Sequence, residues 1–265
     1  MGFICPVCGE SLSEREKDFI CKNSHLFDKA KKGYVNLLMS SSSKIHGDTK
    51  QMLRARERFL DAGFYSPLKE RICAAAEKFA ASAKTVLDCG CGEGYYTASV
   101  GESLKCNELL AVDISKDALI MAKKRDSSLC AAVASVFKLP VNADSVDLVL
   151  NIFSPLANDE FLRVLKPGGH LIRVIPLEEH LWQLKSAVYD VPYKNEVGDL
   201  SLSGFELVDK EDLTYSLNLT ADYLKDLFCM TPYFIKTSKR DSEKLNDVNS
   251  LKVTASFGIL VYEKL

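Results

Sequence analysis

The stretch that most restricts the fold is KTVLDCGCGEGYYTASVGESL, residues 84–104. A short apolar run ends at Val86-Leu87. Asp88, Gly90, Gly92 and Gly94 then follow in D-x-G-x-G-x-G order, and Tyr95 opens a helical pattern. Glycines at that spacing let a chain turn sharply off a buried strand and bring backbone close to a ligand with no Cβ in the way. The alternation continues downstream. NELLAVDIS reads as a second strand ending in Asp113, SKDALIMAKKR as a helix, AAVASVFKLP as a third strand and loop, and VDLVLNIFSPL as a fourth strand. NDEFLRVLKPGGHLIRVIP reads as a helix, a Pro-Gly-Gly turn and a fifth strand. EEHLWQLKSAVY is helical, and GFELVDKEDLTYSLNLT and LKVTASFGILVYEKL alternate like an antiparallel edge pair with the helix ADYLKDLFCMTPYFI between them. Strands alternating with helices predict an α/β doubly wound parallel sheet, whose ligands sit at the carboxyl ends of the strands.

The loop also narrows the ligand. A dinucleotide fingerprint is G-x-G-x-x-G, with a pyrophosphate seated on the helix N-terminus. The G-x-G-x-G spacing with an acid ahead of it favours S-adenosylmethionine, which has no pyrophosphate. Asp113, about 20 residues past the loop, is placed to accept both ribose hydroxyls of an adenosyl group. Ala134-Ser135 would border the adenine, and Asn151–Pro155 would converge on the same site. Cys89 and Cys91 read as small fillers. Residues 84–180 resemble class I S-adenosylmethionine-dependent methyltransferases, with their Rossmann-like doubly wound sheet.

The first 25 residues carry Cys5-x2-Cys8 and Cys21-x3-His25, separated by twelve residues. Two close pairs on tight knuckles suit tetrahedral zinc, and a hairpin through SLSEREKDFI would bring them together. A redox dithiol needs a strand ahead of the first cysteine, and four residues are too few for one. A segment this short cannot bury enough apolar surface to fold alone, so metal binding would supply stability. Four protein ligands leave no open position for a catalytic water, which makes the expected zinc structural.

Next, SSSSKIHGDT at 40–49 reads as a polar loop containing His46. TKQMLRARERFLDAGFYSPLKERICAAAEKFAA reads as two helices broken at DAGFYSP. The expected organisation is a zinc-ribbon module at 1–38, a basic loop and linking helices at 39–83, and the catalytic domain at 84–265. A net charge of −2 hides an asymmetry: residues 1–85 hold 15 basic against 10 acidic side chains, and the remainder 19 against 26. Within 29–58 the balance is eight to two. That basic stretch is either a solvated face or a local phosphate-binding surface. No apolar run approaches the length of a membrane span, no secretory leader is evident, and nine scattered cysteines suit a reducing compartment, so the expected location is cytoplasmic.

Taken together, CPVC…CKNSH.FD.AK.GYVNLL, FLDAGFYSPL, LDCGCGEGYYT, LKPGG, HLWQLK and MTPY make nearly the whole chain resemble the RlmA-type 23S rRNA (guanine-N1)-methyltransferases. The resemblance implies a zinc ribbon that recognises a 23S rRNA hairpin, a homodimer, and methyl transfer from S-adenosylmethionine to guanine N1. It also implies zinc ligation by Cys5, Cys8, Cys21 and His25, and cofactor contacts from Tyr65, Gly92, Glu93 and His180. Those contacts join Asp88, Gly90, Gly94 and Asp113 from the loop logic. Guanine N1 carries a proton, which a positioned carboxylate or water would remove as the methyl moves in line. No cysteine stands directly after Pro155 at the end of the fourth strand for a covalent pyrimidine mechanism, and no N-P-P-Y stretch marks exocyclic amine methylation. The fourth-strand end NIFSPL departs from the family pattern. RNA contact would come from Lys29, Lys31, Lys32, Lys44, Lys50, Arg54, Arg56 and Arg58, with Tyr34 and Phe64 as stacking partners. A small-molecule methyltransferase with a zinc cap, and an RNA-binding protein with a vestigial pocket, are the competing readings.

Overall fold

The computed structural model describes residues 2–39 and 47–265. The expected polar loop at 40–49, with Lys44 and His46, falls largely outside the described residues. In chain order the strands are β1 (Leu12–Glu14), β2 (Asp18–Cys21), β3 (Leu26–Asp28), β4 (Tyr34–Asn36), β5 (Thr85–Cys89), β6 (Glu108–Asp113), β7 (Cys130–Val133), β8 (Val146–Ile152), β9 (Leu165–Pro176), β10 (Phe205–Thr220) and β11 (Ser250–Lys264). The helices are α1 (Lys50–Asp61), α2 (Ser66–Ala80), α3 (Tyr95–Leu104), α4 (Lys116–Arg125), α5 (Asn158–Val164), α6 (Trp182–Val188), α7 (Ala221–Cys229), α8 (Tyr233–Lys236) and α9 (Lys239–Glu243).

An eight-stranded sheet runs β10-β11-β9-β8-β5-β6-β7-β4. β11 pairs antiparallel with both β9 and β10, and the other neighbours are parallel. From β5 the chain winds one way through β6 and β7, then restarts beside β5 at β8 and winds the other way. This reversal opens a crevice at the carboxyl ends of β5 and β8, where ligands of such sheets bind. Strand alternation divides two apolar layers: Val86 packs with Leu68 and Ile72 of α2, and Leu87 and Cys89 face the opposite layer.

Local chemistry sets the helix ends. Thr49 caps α1, its hydroxyl accepting from Met52 N at 3.3 Å, and Gly63 at φ +83° breaks the chain before Pro67 enters the first turn of α2. Ser115 caps α4, with Asp117 in its first turn and Lys123, Lys124 and Arg125 in its last, charges that oppose the helix dipole. The expected turn at Pro167-Gly168-Gly169 does not interrupt β9. The strand absorbs it, with Gly168 at φ +72° and a register shift against β8 between Val146 and Leu148.

β1, β2 and β3 form a small antiparallel sheet, and the expected hairpin turns at residues 15–17, closed by Arg15 N donating to Asp18 O at 2.8 Å. This module interlocks with the large sheet. Phe3 bridges to Val141, and Ile4 N donates to Pro140 O at 2.8 Å. Phe3, Leu12 and Phe19 are buried in one layer with Leu110, Val112 and Ala132. β4, within the segment expected as the zinc module, pairs parallel with β7 and becomes the edge strand of the eight-stranded sheet. Among the described residues no helix is long and apolar enough to cross a membrane.

Candidate functional site

A cavity of about 740 Å³ opens at the carboxyl ends of β5, β6, β8 and β9, walled by α1 and residues 230–236. Its floor is the glycine loop. Gly90, Gly92 and Gly94 all take positive φ, at 88°, 55° and 84°. A Cβ on Gly90 would lie 2.5 Å from the Ser154 Cβ, whereas one on Gly92 would meet only the Arg56 guanidinium, at 3.5 Å. Gly92 is therefore the point of open backbone approach. Gly90 N and Cys91 N both donate to Val112 O, at 2.8 and 3.1 Å, which ties the loop to the end of β6. Cys89 and Cys91 are buried, and burial pushes both thiols up, so they are neutral packing groups.

Asp113 lies at that strand end. Its Oδ2 accepts from Gly92 N at 2.9 Å and its Oδ1 from Ser115 N at 2.8 Å. Burial raises its pKa, and the two backbone donors pull the other way. Each carboxylate oxygen still has lone-pair capacity for a hydroxyl. Asp88 is 2 % exposed; Thr97 donates to its Oδ2 at 2.6 Å, and Oδ1 has no partner among the described residues. Burial pushes the Asp88 carboxyl up to about 7. A buried acid with one oxygen unmatched at a cavity wall suits a cationic ligand group, because such a group would both satisfy the atom and favour its ionised form. Glu93 also lines the cavity and is ion-paired with Arg125.

Tyr65, just ahead of α2, is buried with its ring centroid 5.2 Å from Phe59, 5.0 Å from Phe257 and 6.5 Å from His180. His180 Nδ1 accepts from Ser256 N at 3.2 Å, so in the neutral ring Nε2 carries the proton. Burial, then Lys185, lowers the His180 pKa from 6.5 to about 3. A folded-state value depressed in this way favours the folded protein above pH 6.5, and the contribution is lost as pH falls towards 3. His180→Gln is expected to flatten the fall of Tm with pH between about 6.5 and 4; identical Tm-against-pH curves for variant and wild type would contradict this.

Ala134, Ser135, Phe153, Ser154 and Pro155 line the cavity, where sequence patterning expects them, whereas it leaves residues 230–236 unassigned. Arg56, read as an RNA contact, pairs with Asp48 and donates to Met230 O at 3.1 Å above Gly92. Residues 230–236 form one wall of the cavity, and Phe153 stands at its rim. Phe64 is not free to stack on a base: it packs against Phe59 and Tyr223, each at 4.8 Å. Tyr34 is half-buried within β4, in the sheet. Arg58 is held bidentate by Asp226 and Lys29 pairs with Glu14, whereas Lys31, Lys32 and Arg54 are exposed.

On the ribbon, the ligand atoms of Cys5, Cys8, Cys21 and His25 lie within 4.8 Å of one another. Cys8 Sγ is 3.7 Å from Cys21 Sγ, and His25 Nδ1 is 3.5 Å from Cys5 Sγ and 3.3 Å from Cys21 Sγ. Tetrahedral zinc with Zn–S bonds of about 2.3 Å separates its sulfurs by about 3.8 Å, so the donor set fits that ion; a disulfide, at about 2.05 Å, is too short. Gly9 at φ +75° and Ser24 at φ +64° close the two knuckles. The Glu10 backbone hydrogen bond draws the Cys8 thiol down to about 6, towards the thiolate a metal needs.

Residues 3–42 match a zinc-ribbon family model described as RlmA, N-terminal, and residues 87–173 match one described as methyltransferase domain. A 23S rRNA (guanine(748)-N(1))-methyltransferase of Streptomyces fradiae is 34 % identical over 235 residues, spanning 86 % of this chain and 84 % of its own. A Bacillus subtilis protein provisionally named 23S rRNA (guanine-N(1)-)-methyltransferase is 31 % identical over 272 residues, spanning 98 % and 96 %. Among solved structures, a Bacillus halodurans protein described as a candidate methyltransferase superposes with a TM-score of 0.51 at 15 % identity, over 72 % of this chain and 98 % of that one, a likeness of fold alone. Ribbon, sheet and whole-length relatives agree: the chain belongs to the RlmA family of 23S rRNA (guanine-N1)-methyltransferases.

Proposed function

We propose that the protein transfers a methyl group from S-adenosylmethionine to N1 of a guanine in a hairpin loop of 23S rRNA. The observation that carries this reading is the joining of the two halves: one sheet holds both the Asp88–Asp113 cavity and the ribbon's own strand β4. A ribbon fixed to the catalytic sheet can hold an RNA at a set distance and angle from the reacting centre. Family relatives across the whole chain support the substrate class.

When bound, S-adenosylmethionine supplies an electrophilic methyl on a sulfonium. Asp88 would receive the methionyl ammonium at its unpartnered oxygen, and Asp113 the ribose hydroxyls. Gly92 gives the close backbone approach, and Tyr65 and His180 wall the site with aromatic surface. Because His180 Nδ1 is engaged and its ring stays neutral, it acts as a hydrogen-bond donor rather than a base. The N1 proton leaves to a carboxylate or water as the methyl arrives in line. The guanine must first be splayed from its stack to enter the cavity. The exposed Lys31, Lys32 and Arg54 are the phosphate contacts of this reading, and zinc braces the ribbon through Cys5, Cys8, Cys21 and His25. The family resemblance supports a homodimer, and the substrate supports a cytoplasmic location.

Incubation of unmodified 23S rRNA with methyl-labelled S-adenosylmethionine tests the reading. Label is expected in 23S rRNA, falling as salt rises, because phosphate contacts release counterions. Absence of label from RNA in protein that binds both zinc and cofactor would favour a small-molecule substrate.

A further inference from the structure

The four residues after β8 contain a backbone conformation that local propensity disfavours. Phe153 takes φ +54°, a left-handed value that is an outlier for a bulky side chain, and its ring is 45 % exposed at the cavity rim. Nearly half of the side chain stays in water, so its packing on Phe257 leaves part of the ring uncovered. The turn is nevertheless held firmly. Asn151, 1 % exposed, spends its amide nitrogen on this turn alone, donating to Ser154 Oγ at 2.5 Å, Pro155 O at 3.1 Å and Ser154 O at 3.3 Å. Ser154 Oγ donates to Cys89 O at the head of the glycine loop, and Phe153 N to Val174 O at 3.3 Å. Gly90 leaves the space into which Ser154 packs. Strained residues of this kind persist where the surroundings over-determine them, and they gather at functional sites.

The ring's neighbours indicate what it meets. Its centroid is 5.6 Å from Phe257, which in turn lies 4.6 Å from His180 and 5.0 Å from Tyr65. Phe153 is thus the outermost member of the aromatic wall, at the one end of it that faces solvent. We infer that Phe153 is the stacking platform for the target guanine and that Asn151 is the positioning residue holding it there. The inference rests on the RNA-methylation reading and adds the side chain that takes the base. A purine ring laid on Phe153 covers the exposed face, and its Watson–Crick edge then points into the cavity.

The test compares Phe153→Gly, Phe153→Tyr and wild type with a 23S rRNA hairpin transcript, labelled S-adenosylmethionine and calorimetric titration of S-adenosylhomocysteine. Glycine accepts positive φ without strain, which offsets part of the lost contact with Phe257, so Phe153→Gly is expected to fold with a Tm close to wild type. Its S-adenosylhomocysteine affinity should be unchanged, while its kcat/KM for RNA falls about 10- to 100-fold, the worth of one aromatic–base stack. Phe153→Tyr keeps the ring and should keep wild-type kinetics. Wild-type RNA kinetics in Phe153→Gly would overturn the inference, as would a loss of cofactor affinity equal to the loss of activity. A wild-type enzyme that labels no RNA would instead overturn RNA methylation itself.

Discussion

Cys21→Ser is expected to abolish zinc binding and destabilise the protein by more than about 4 kcal/mol, the range reached when a structural metal is lost. Cys21 ends β2, so the substitution removes a ligand and disturbs the register that places Leu12 opposite it. Its neighbours are not local to the ribbon. Cys5 and Cys21 are buried in the layer that holds Phe3, Val35, Leu110 and Ala132, so a loosened knuckle reaches the edge strands β4 and β7. Phe3 and the β4–β7 pairing keep the ribbon attached, which limits the damage to less than the unfolding of a free zinc finger. Atomic emission should give no zinc, thermal scans a lower Tm, and RNA methylation a near-complete loss. Binding of S-adenosylhomocysteine should survive at low temperature, because Asp88, Gly92 and Asp113 hang on the ends of β5 and β6. Retention of full RNA activity by zinc-free Cys21→Ser would remove the ribbon from substrate recognition.

Asp113→Ala should raise the Kd for S-adenosylhomocysteine by at least about 100-fold. Two ribose hydroxyls donating to a carboxylate contribute about 1.5–3 kcal/mol each, and each 1.4 kcal/mol is a factor of ten in affinity. The substitution also strands the Gly92 and Ser115 N–H groups, at a further cost of about 1–3 kcal/mol apiece where they stay dry. Gly92 then loses the carboxylate that holds its N–H, and the open backbone surface at the cavity floor loosens with it. Zinc content should not change, since no ligand touches this strand end. Calorimetry and metal analysis on one preparation separate the outcomes: a Kd within a few-fold of wild type would show that Asp113 serves the loop and not the ligand.

The legible parts of the chain were those whose physics is local. Gly90, Gly92 and Gly94 each sit at a positive φ, and the strand–helix alternation from residue 85 onward follows from apolar periodicity within single elements. The Cys5–His25 spacing similarly encodes a donor set that the two knuckles close by themselves. Long-range pairings left no such trace. β4 is three residues long, and nothing in YVN announces that it will lie beside β7, nearly a hundred residues on. Phe3 likewise carries no signal of its bridge to Val141. Pro167-Gly168-Gly169 has the composition of a turn and makes one within β9: residues 166–169 pair with neither β8 nor β11, and the ladder resumes at His170. Phe64, suggested as a base-stacking residue, is partly buried against the core because the helix break at Gly63 turns it onto Phe59 and Tyr223. Tyr65 and His180 were named only through family likeness. The structure brings them to one cavity wall through Phe257, a residue that alternation alone marks as just another buried strand position. The positive φ of Phe153 was invisible in NIFSPL, where no glycine marks it.

The most direct measurement is primer extension on unmodified 23S rRNA after incubation with the protein and S-adenosylmethionine. A methyl on N1 blocks Watson–Crick pairing, so the predicted result is a reverse-transcription stop at one hairpin-loop guanine, present with wild type and absent with Asp113→Ala. Methyl label in the RNA with no stop at any guanine would contradict N1 as the acceptor. No label at all, from protein with bound zinc and measurable cofactor affinity, would contradict RNA as the substrate.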